Sequence, residues 1–235
     1  MTMLLQPPPD APAPPPSAHA IRSQRKMAWI WIIGIVSVIF CLLVAPTLFR
    51  KRGNHDQPEV VSNIRQIGLA LFEFEQAYGS MPDFDTGKTV RDDTLTSLKL
   101  GTVTSNDFFR QLIAAEITQS EQMFYARVQG SRKPDSVITG TKALEKGECG
   151  FTYLIGAFKG CNPERPLVVT PMIPDTDRFD PKPFKGKVVV LKADNCVTTL
   201  PIDKSGHAIL FGKNLMDPAH PVWEGKPPAI AWPEL

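Results

Sequence analysis

The chain is poor in the residues that usually announce a chemistry. Cysteine occurs four times in 235 residues, too few for a small domain held together by many disulfides. Histidine also occurs four times, as His19, His55, His207 and His220. No two of them stand three or four positions apart, and there is no Cys-x-x-Cys, so zinc-ligand spacing is missing. There is no Gly-x-Ser-x-Gly, and Gly147, Gly150, Gly156 and Gly160 fit neither standard phosphate-cradling spacing. Net charge is nearly missing as well, at a formal +2. Residues 1–49 hold three basic and one acidic residue, which leaves 23 of each sign in residues 50–235. That balance argues against nucleic acid as a partner, because neutralising phosphates needs clustered Lys and Arg. No cofactor motif is present, no internal repeat is visible, and nothing marks the chain as an enzyme.

What is abundant is proline, 23 residues, together with one long apolar run. Seven prolines among residues 1–20 bias that stretch to polyproline II and leave it no core to build. Residues 1–26 are therefore expected to be a disordered tail, a spacer or a proline ligand for a partner. From Met27 to Phe49 there are 23 consecutive uncharged residues. As a helix they rise about 34 Å, enough to cross a hydrocarbon core of about 30 Å. Trp29 and Trp31 suit the headgroup level. A cleaved secretory signal would have a shorter apolar core and a small-residue cleavage site, so a retained span over residues 27–49 is expected, with the bilayer as its partner. Three basic residues flank each end, so charge alone does not orient it.

Beyond the run, residues 50–235 read as one α+β domain. Val60, Ile64, Ile67, Leu71, Phe74 and Tyr78 recur at steps of four and three, which predicts an amphipathic helix over 57–78. Pro58 and Gly79 suit its two ends. Residues 83–104 read as polar and irregular, with a short strand at Thr94–Leu100. Ser105-Asn106-Asp107 offers an N-cap, and apolar spacing predicts a second helix over about 107–128. Strands are expected at 150–158, 167–172, 186–191, 197–201 and 207–211, with a hairpin turning at Asp194-Asn195 and a tight turn at 203–206. Pro218 to Leu235 holds five prolines and should run extended, pinned by Trp223 and Trp232.

Ser62-Asn63-Ile64-Arg65-Gln66-Ile67-Gly68-Leu69-Ala70-Leu71, followed by Tyr78-Gly79-Ser80-Met81-Pro82, resembles bacterial type IV pilin-like and type II secretion pseudopilin-like membrane proteins. The likeness is strongest over residues 30–82. The Val188–Asp194 and Cys196–Leu200 segments are similar to the strand, Asp-Gly turn and strand that end such chains, with Asn195 where glycine is common. The proline-rich tail is similar to verrucomicrobial and planctomycete variants. The resemblance implies an amphipathic helix packed on a small antiparallel sheet. It also implies a bacterial inner-membrane location, with residues 1–26 cytoplasmic and residues 50–235 extracytoplasmic, and a structural or protein-binding role. The chain departs from the family at the start of the apolar run. Lys26-Met27-Ala28-Trp29 replaces the processing signal, and no Glu lies inside the span. That departure argues against peptidase processing and filament assembly.

If residues 50–235 face an oxidising compartment, Cys149 can pair with Cys161 or Cys196. Cys149–Cys161 is the shortest closure, a loop whose cross-link contributes roughly 3 kcal/mol in the chain-entropy model. Free buried thiols are the competing reading. Ser205-Gly206-His207 brings a hydroxyl near an imidazole but reads first as a turn entering a strand. Asp83/Asp85, Asp92/Asp93 and Asp175/Asp177/Asp180 are locally acidic, yet the last run lacks the glycine and twelfth-position Glu of a calcium loop. No catalytic, cofactor or metal residue is assigned. The alternative to the structural reading is a membrane-tethered envelope enzyme or ligand-binding protein, with a pocket around His207 or the 175–180 loop.

Overall fold

The computed structural model describes residues 56–235. The predicted membrane span at 27–49 and the proline-rich tail at 1–26 lie outside the described residues. Among the described residues no helix is long and apolar enough to cross a membrane.

Helix α1 runs Asp56–Tyr78, close to its predicted bounds. Its stripe is the core of the domain: Val60, Ile64, Ile67, Leu71 and Phe74 are all fully enclosed. Burying each such side chain contributes about 1.5–3 kcal/mol. Gly79 stops the helix at φ 81, a conformation that a Cβ would resist, and its N–H donates to the Glu75 carbonyl at 2.8 Å. Gly68 has a different purpose. A Cβ there would run into the Asn195 side chain and come within 2.8 Å of Leu191 Cδ1, so glycine lets α1 lie directly on a hairpin of the sheet.

Helix α2, Phe84–Thr94, corrects the irregular reading of 83–104, and the short strand expected at Thr94–Leu100 does not form. A capping box explains the helix. Asp83 accepts from the Asp85 and Thr86 N–H groups, and Thr86 Oγ1 accepts from the Asp83 N–H. Helix α3 covers only Ser105–Ala114, shorter than the predicted 107–128, and its N-cap is Thr104 rather than the following triplet. Phe124 belongs instead to a 3-10 turn, Gln122–Phe124, that tucks beneath α1. The Asn63 amide clamps this turn by donating to the Gln122 and Tyr125 carbonyls at 3.2 and 2.9 Å. Phe109 stacks on Phe124 with ring centres 5.0 Å apart.

The strands are β1 Thr152–Ile155, β2 Pro166–Val169, β3 Lys187–Lys192, β4 Val197–Pro201, β5 Ile209–Leu210, β6 Lys213–Asn214 and β7 Ala229–Ala231. Five form an antiparallel sheet in the order β4-β3-β2-β1-β7, and β5 pairs only with β6. The β3–β4 hairpin pairs Lys187 with Pro201 through Leu191 with Val197, and Asn195 turns it at φ 61. Strand β3 reads as an unbroken apolar run because both faces are covered. Val189 and Leu191 meet the helices, while Val188 and Val190 join Leu154, Val169 and Trp223 on the other side. The α+β class and the helix-on-sheet packing are thus as expected. The tail differs in one respect: β7 pairs with β1 and closes that edge of the sheet, instead of lying extended over the surface.

The Cys149–Cys161 bond is not formed; Cys149, Cys161 and Cys196 are all free. Cys149 lies before the start of β1 and Cys161 beyond its far end, so the strand holds them apart, while a disulfide needs Cα atoms within about 7 Å. Cys149 is wholly buried beside Ser105, and Cys161 is half-buried in the β1–β2 loop.

Candidate functional site

Three chain segments meet near the N-terminal end of α3. The long connection between α3 and β1 folds back on itself here. The Gly150 N–H donates to the Phe124 carbonyl at 2.8 Å. A Cβ on Gly150 would press within 2.7 Å of the Ala126 backbone, so glycine is what permits this approach. The consequence is that Glu121 and Glu148 become neighbours. Asp135 joins them from the intervening loop, its N–H donating to Glu148 Oε1 at 3.3 Å.

One carboxylate oxygen from each of Glu121, Asp135 and Glu148 lies within 4.8 Å of the other two. Glu121 and Glu148 are fully buried, whereas Asp135 is exposed. Glu148 is well supplied with partners. Its oxygens also accept from the Glu145 N–H at 2.7 Å, and Arg132 Nη2 stands 3.3 Å away, shared with Glu145. Glu121 is not. Its Oε1 accepts from the Leu144 N–H, but Oε2 is enclosed and has no hydrogen-bond partner. Burial pushes the Glu121 carboxyl above its ordinary value; the Leu144 N–H and, more weakly, the Ser136 N–H pull it back, and the charges of Glu148 and Asp135 push it up again. The sequence offered no sign of this group, because its members are spread from position 121 to 148 and share no motif spacing. Gly150, just ahead of a strand, hinted at a close backbone approach there but not at the carboxylates.

The residues singled out in the sequence are dispersed. Burial pushes the Cys149 thiol up to about 11, so it is held as the neutral, unreactive form. His207 does meet the 175–180 loop: Nε2 is 3.4 Å from Asp177 Oδ2, and Nδ1 is 3.7 Å from Asp203 Oδ2. Both ring nitrogens therefore face carboxylates rather than the Ser205 hydroxyl. Asp203 instead builds the predicted turn, its Oδ1 accepting from the Ser205 and His207 N–H groups at 2.8 and 2.9 Å. Asp180 caps its own loop by accepting from the Lys182 N–H. Asp180 also borders a groove of about 350 Å³ lined by Met172, Phe179, Phe184 and Leu235, which His207 does not line. His220 is buried and satisfied, with Nδ1 accepting from the Val222 N–H and Nε2 3.1 Å from the Leu210 carbonyl. Asp83 is a helix cap, Asp85 pairs with Lys88 at 3.2 Å, and Asp92 and Asp93 are exposed. His19 and His55 lie outside the described residues.

The outer face of α1 is the other notable feature. Leu69 and Phe72 stand three apart and are 61% and 53% exposed, although the inner face of the same helix is already buried. Phe72 borders a cavity of about 610 Å³ that also takes in Gln76, Lys159, Cys161 and Asp194.

No protein-family model matches the chain, and no curated protein or solved structure is significantly similar to it.

Proposed function

We propose that the protein is a single-pass, membrane-anchored, pilin-like protein of the bacterial inner membrane with a structural or protein-binding role, in the manner of a minor pseudopilin of a secretion or pilus system. The observation that carries the reading is the setting of α1. It begins seven positions after the apolar run at 27–49, and its inner stripe lies on an antiparallel sheet that contains a β3–β4 hairpin. The motif residues behind the resemblance also have physical work in this packing. Asn63 clamps the 3-10 turn, Gly68 admits the hairpin, Gly79 ends the helix, and the Pro82 carbonyl accepts from Tyr153 Oη at 2.9 Å. In this reading residues 27–49 hold the bilayer, residues 1–26 are cytoplasmic, and residues 50–235 are extracytoplasmic. Leu69 and Phe72 are then the apolar surface open to a protein partner.

The test is fractionation, followed by intact mass and N-terminal sequencing of the membrane-held protein. Recovery in the soluble fraction would sink the proposal. A membrane-held chain that keeps its proline-rich start would be a static anchor. Loss of roughly the first 26 residues would make filament assembly the leading version.

A further inference from the structure

We propose that Glu121, Asp135 and Glu148 form a calcium-binding site. The donor set is all oxygen, with no nitrogen or sulfur, which suits a hard divalent cation rather than zinc or copper. Oxygens around Ca²⁺ sit about 2.3–2.6 Å from the ion, so its coordination shell is about 4.6–5.2 Å across. The three oxygens lie within 4.8 Å of one another, a spacing that an ion of this size can gather with small side-chain movements. Mg²⁺ demands a near-ideal octahedron and gives up its waters reluctantly, whereas Ca²⁺ accepts the irregular geometry that carboxylates from separate segments offer.

The independent observation is Glu121. It is 0% exposed, and its Oε2 has no partner. An ionised carboxylate left like this is costly, so something must compensate it. A proton shared between neighbouring carboxylates is the competing arrangement, and failure of Ca²⁺ to bind would favour it. A cation between the three carboxylates satisfies all of them together. Charge points the same way: one guanidinium, Arg132, serves both Glu145 and Glu148 and leaves negative charge in excess. The exposed side, at Asp135, gives the ion an entrance and leaves room for the waters that complete six to eight ligands. With only three protein oxygens and a nearby guanidinium, the dissociation constant should lie around 10⁻⁴–10⁻³ M. Bound calcium would tie the loop carrying Asp135 to the turn beneath α1.

The experiment uses the full chain in mild detergent, freed of cations with EDTA. CaCl₂ is titrated by calorimetry, and thermal unfolding is followed with and without about 10 mM CaCl₂, roughly tenfold above the weakest expected dissociation constant. MgCl₂ and matched ionic strength serve as controls. The expected result is saturable binding of one Ca²⁺ with a raised Tm, and a weaker effect of Mg²⁺. Asp135→Asn, an exposed and isosteric change that leaves the fold intact, should weaken binding about tenfold or more. Glu121→Gln should abolish it. The proposal is overturned if Ca²⁺ gives no saturable heat and no Tm shift, or if Asp135→Asn retains both. None of these outcomes depends on how the chain meets the membrane.

Discussion

Helices α1 and α3 both show apolar spacing and share one core, yet only α3 is also tied in by buried polar side chains. Helix α1 buries one stripe and gives its other face to water, so Arg65 and Glu73 are exposed. Helix α3 is buried on every side. Its Ser105, Asn106, Asp107, Arg110 and Gln111 are enclosed along with its phenylalanines. Those polar side chains are ties. Arg110 pairs with Asp107 at 2.7 Å and donates to the Ala143 and Leu144 carbonyls at 2.8 and 3.0 Å. The Asn106 amide donates to the Leu144 carbonyl, and its oxygen accepts from the Glu234 N–H, both at 3.0 Å. The Ser105 N–H donates to the Trp232 carbonyl at 3.0 Å. Both helices bury apolar area in one core, and α3 adds a hydrogen-bond network that joins a loop and the chain's last residues.

The contrast breaks most sharply at Arg110. Arg110→Ala takes the guanidinium from a buried carboxylate and leaves the Ala143 carbonyl without that donor, and should cost about 3–5 kcal/mol in urea unfolding. Arg65→Ala on the wet face of α1 should change stability by under about 0.5 kcal/mol. Equal losses at the two positions would mean that the helices are not held differently.

Gly68 tests the α1 side. Gly68→Ala should cost about 1–3 kcal/mol through overpacking against Asn195 and Leu191. Adding Asn195→Gly should return part of that loss, since glycine removes the clashing side chain and accepts φ 61. A double mutant no better than Gly68→Ala would place the strain at Leu191 instead.

The cap of α2 is a smaller effect. Asp83→Ala should cost about 1 kcal/mol, read as a lower urea midpoint with an unchanged slope. The smallest effect concerns pH. The His207 and Ser205 N–H groups hold the Asp203 carboxyl below its ordinary 3.8. A lowered folded value means that its contribution is complete above pH 3.8 and is lost as pH falls through the folded value. Asp203→Asn should therefore be less stable than the parent at neutral pH, and the two should converge in acid. Tryptophan fluorescence at a series of pH values measures this.

How legible each element was follows from how local its causes are. The stripe of α1 and the turns at Asn195 and Gly206 lie within a few residues of their partners, and all are where they were expected. Helix α2 was missed because its signal is a cap, Asp83 with Thr86, followed by a polar sequence with little periodicity. The second helix was read too long because Ile117, Phe124 and Val128 keep a helical spacing after the helix has stopped. Glu116 takes φ 58 just beyond Ala114, and Phe124 is buried from a separate turn. Between a disulfide and free thiols the sequence left the choice open; Cys149 and Cys161 lie beyond opposite ends of β1, and both are free.

By itself the sequence determined the α+β class, the long helix and the β3–β4 hairpin, because periodicity and turn chemistry act over a few positions. Only the tertiary structure decided that α3 would be wholly buried, that β7 would close the sheet at β1, and that Glu121, Asp135 and Glu148 would converge. Each of those outcomes joins residues far apart in the chain. Such contacts depend on which surfaces fit together once the elements exist, and no local pattern encodes that fit.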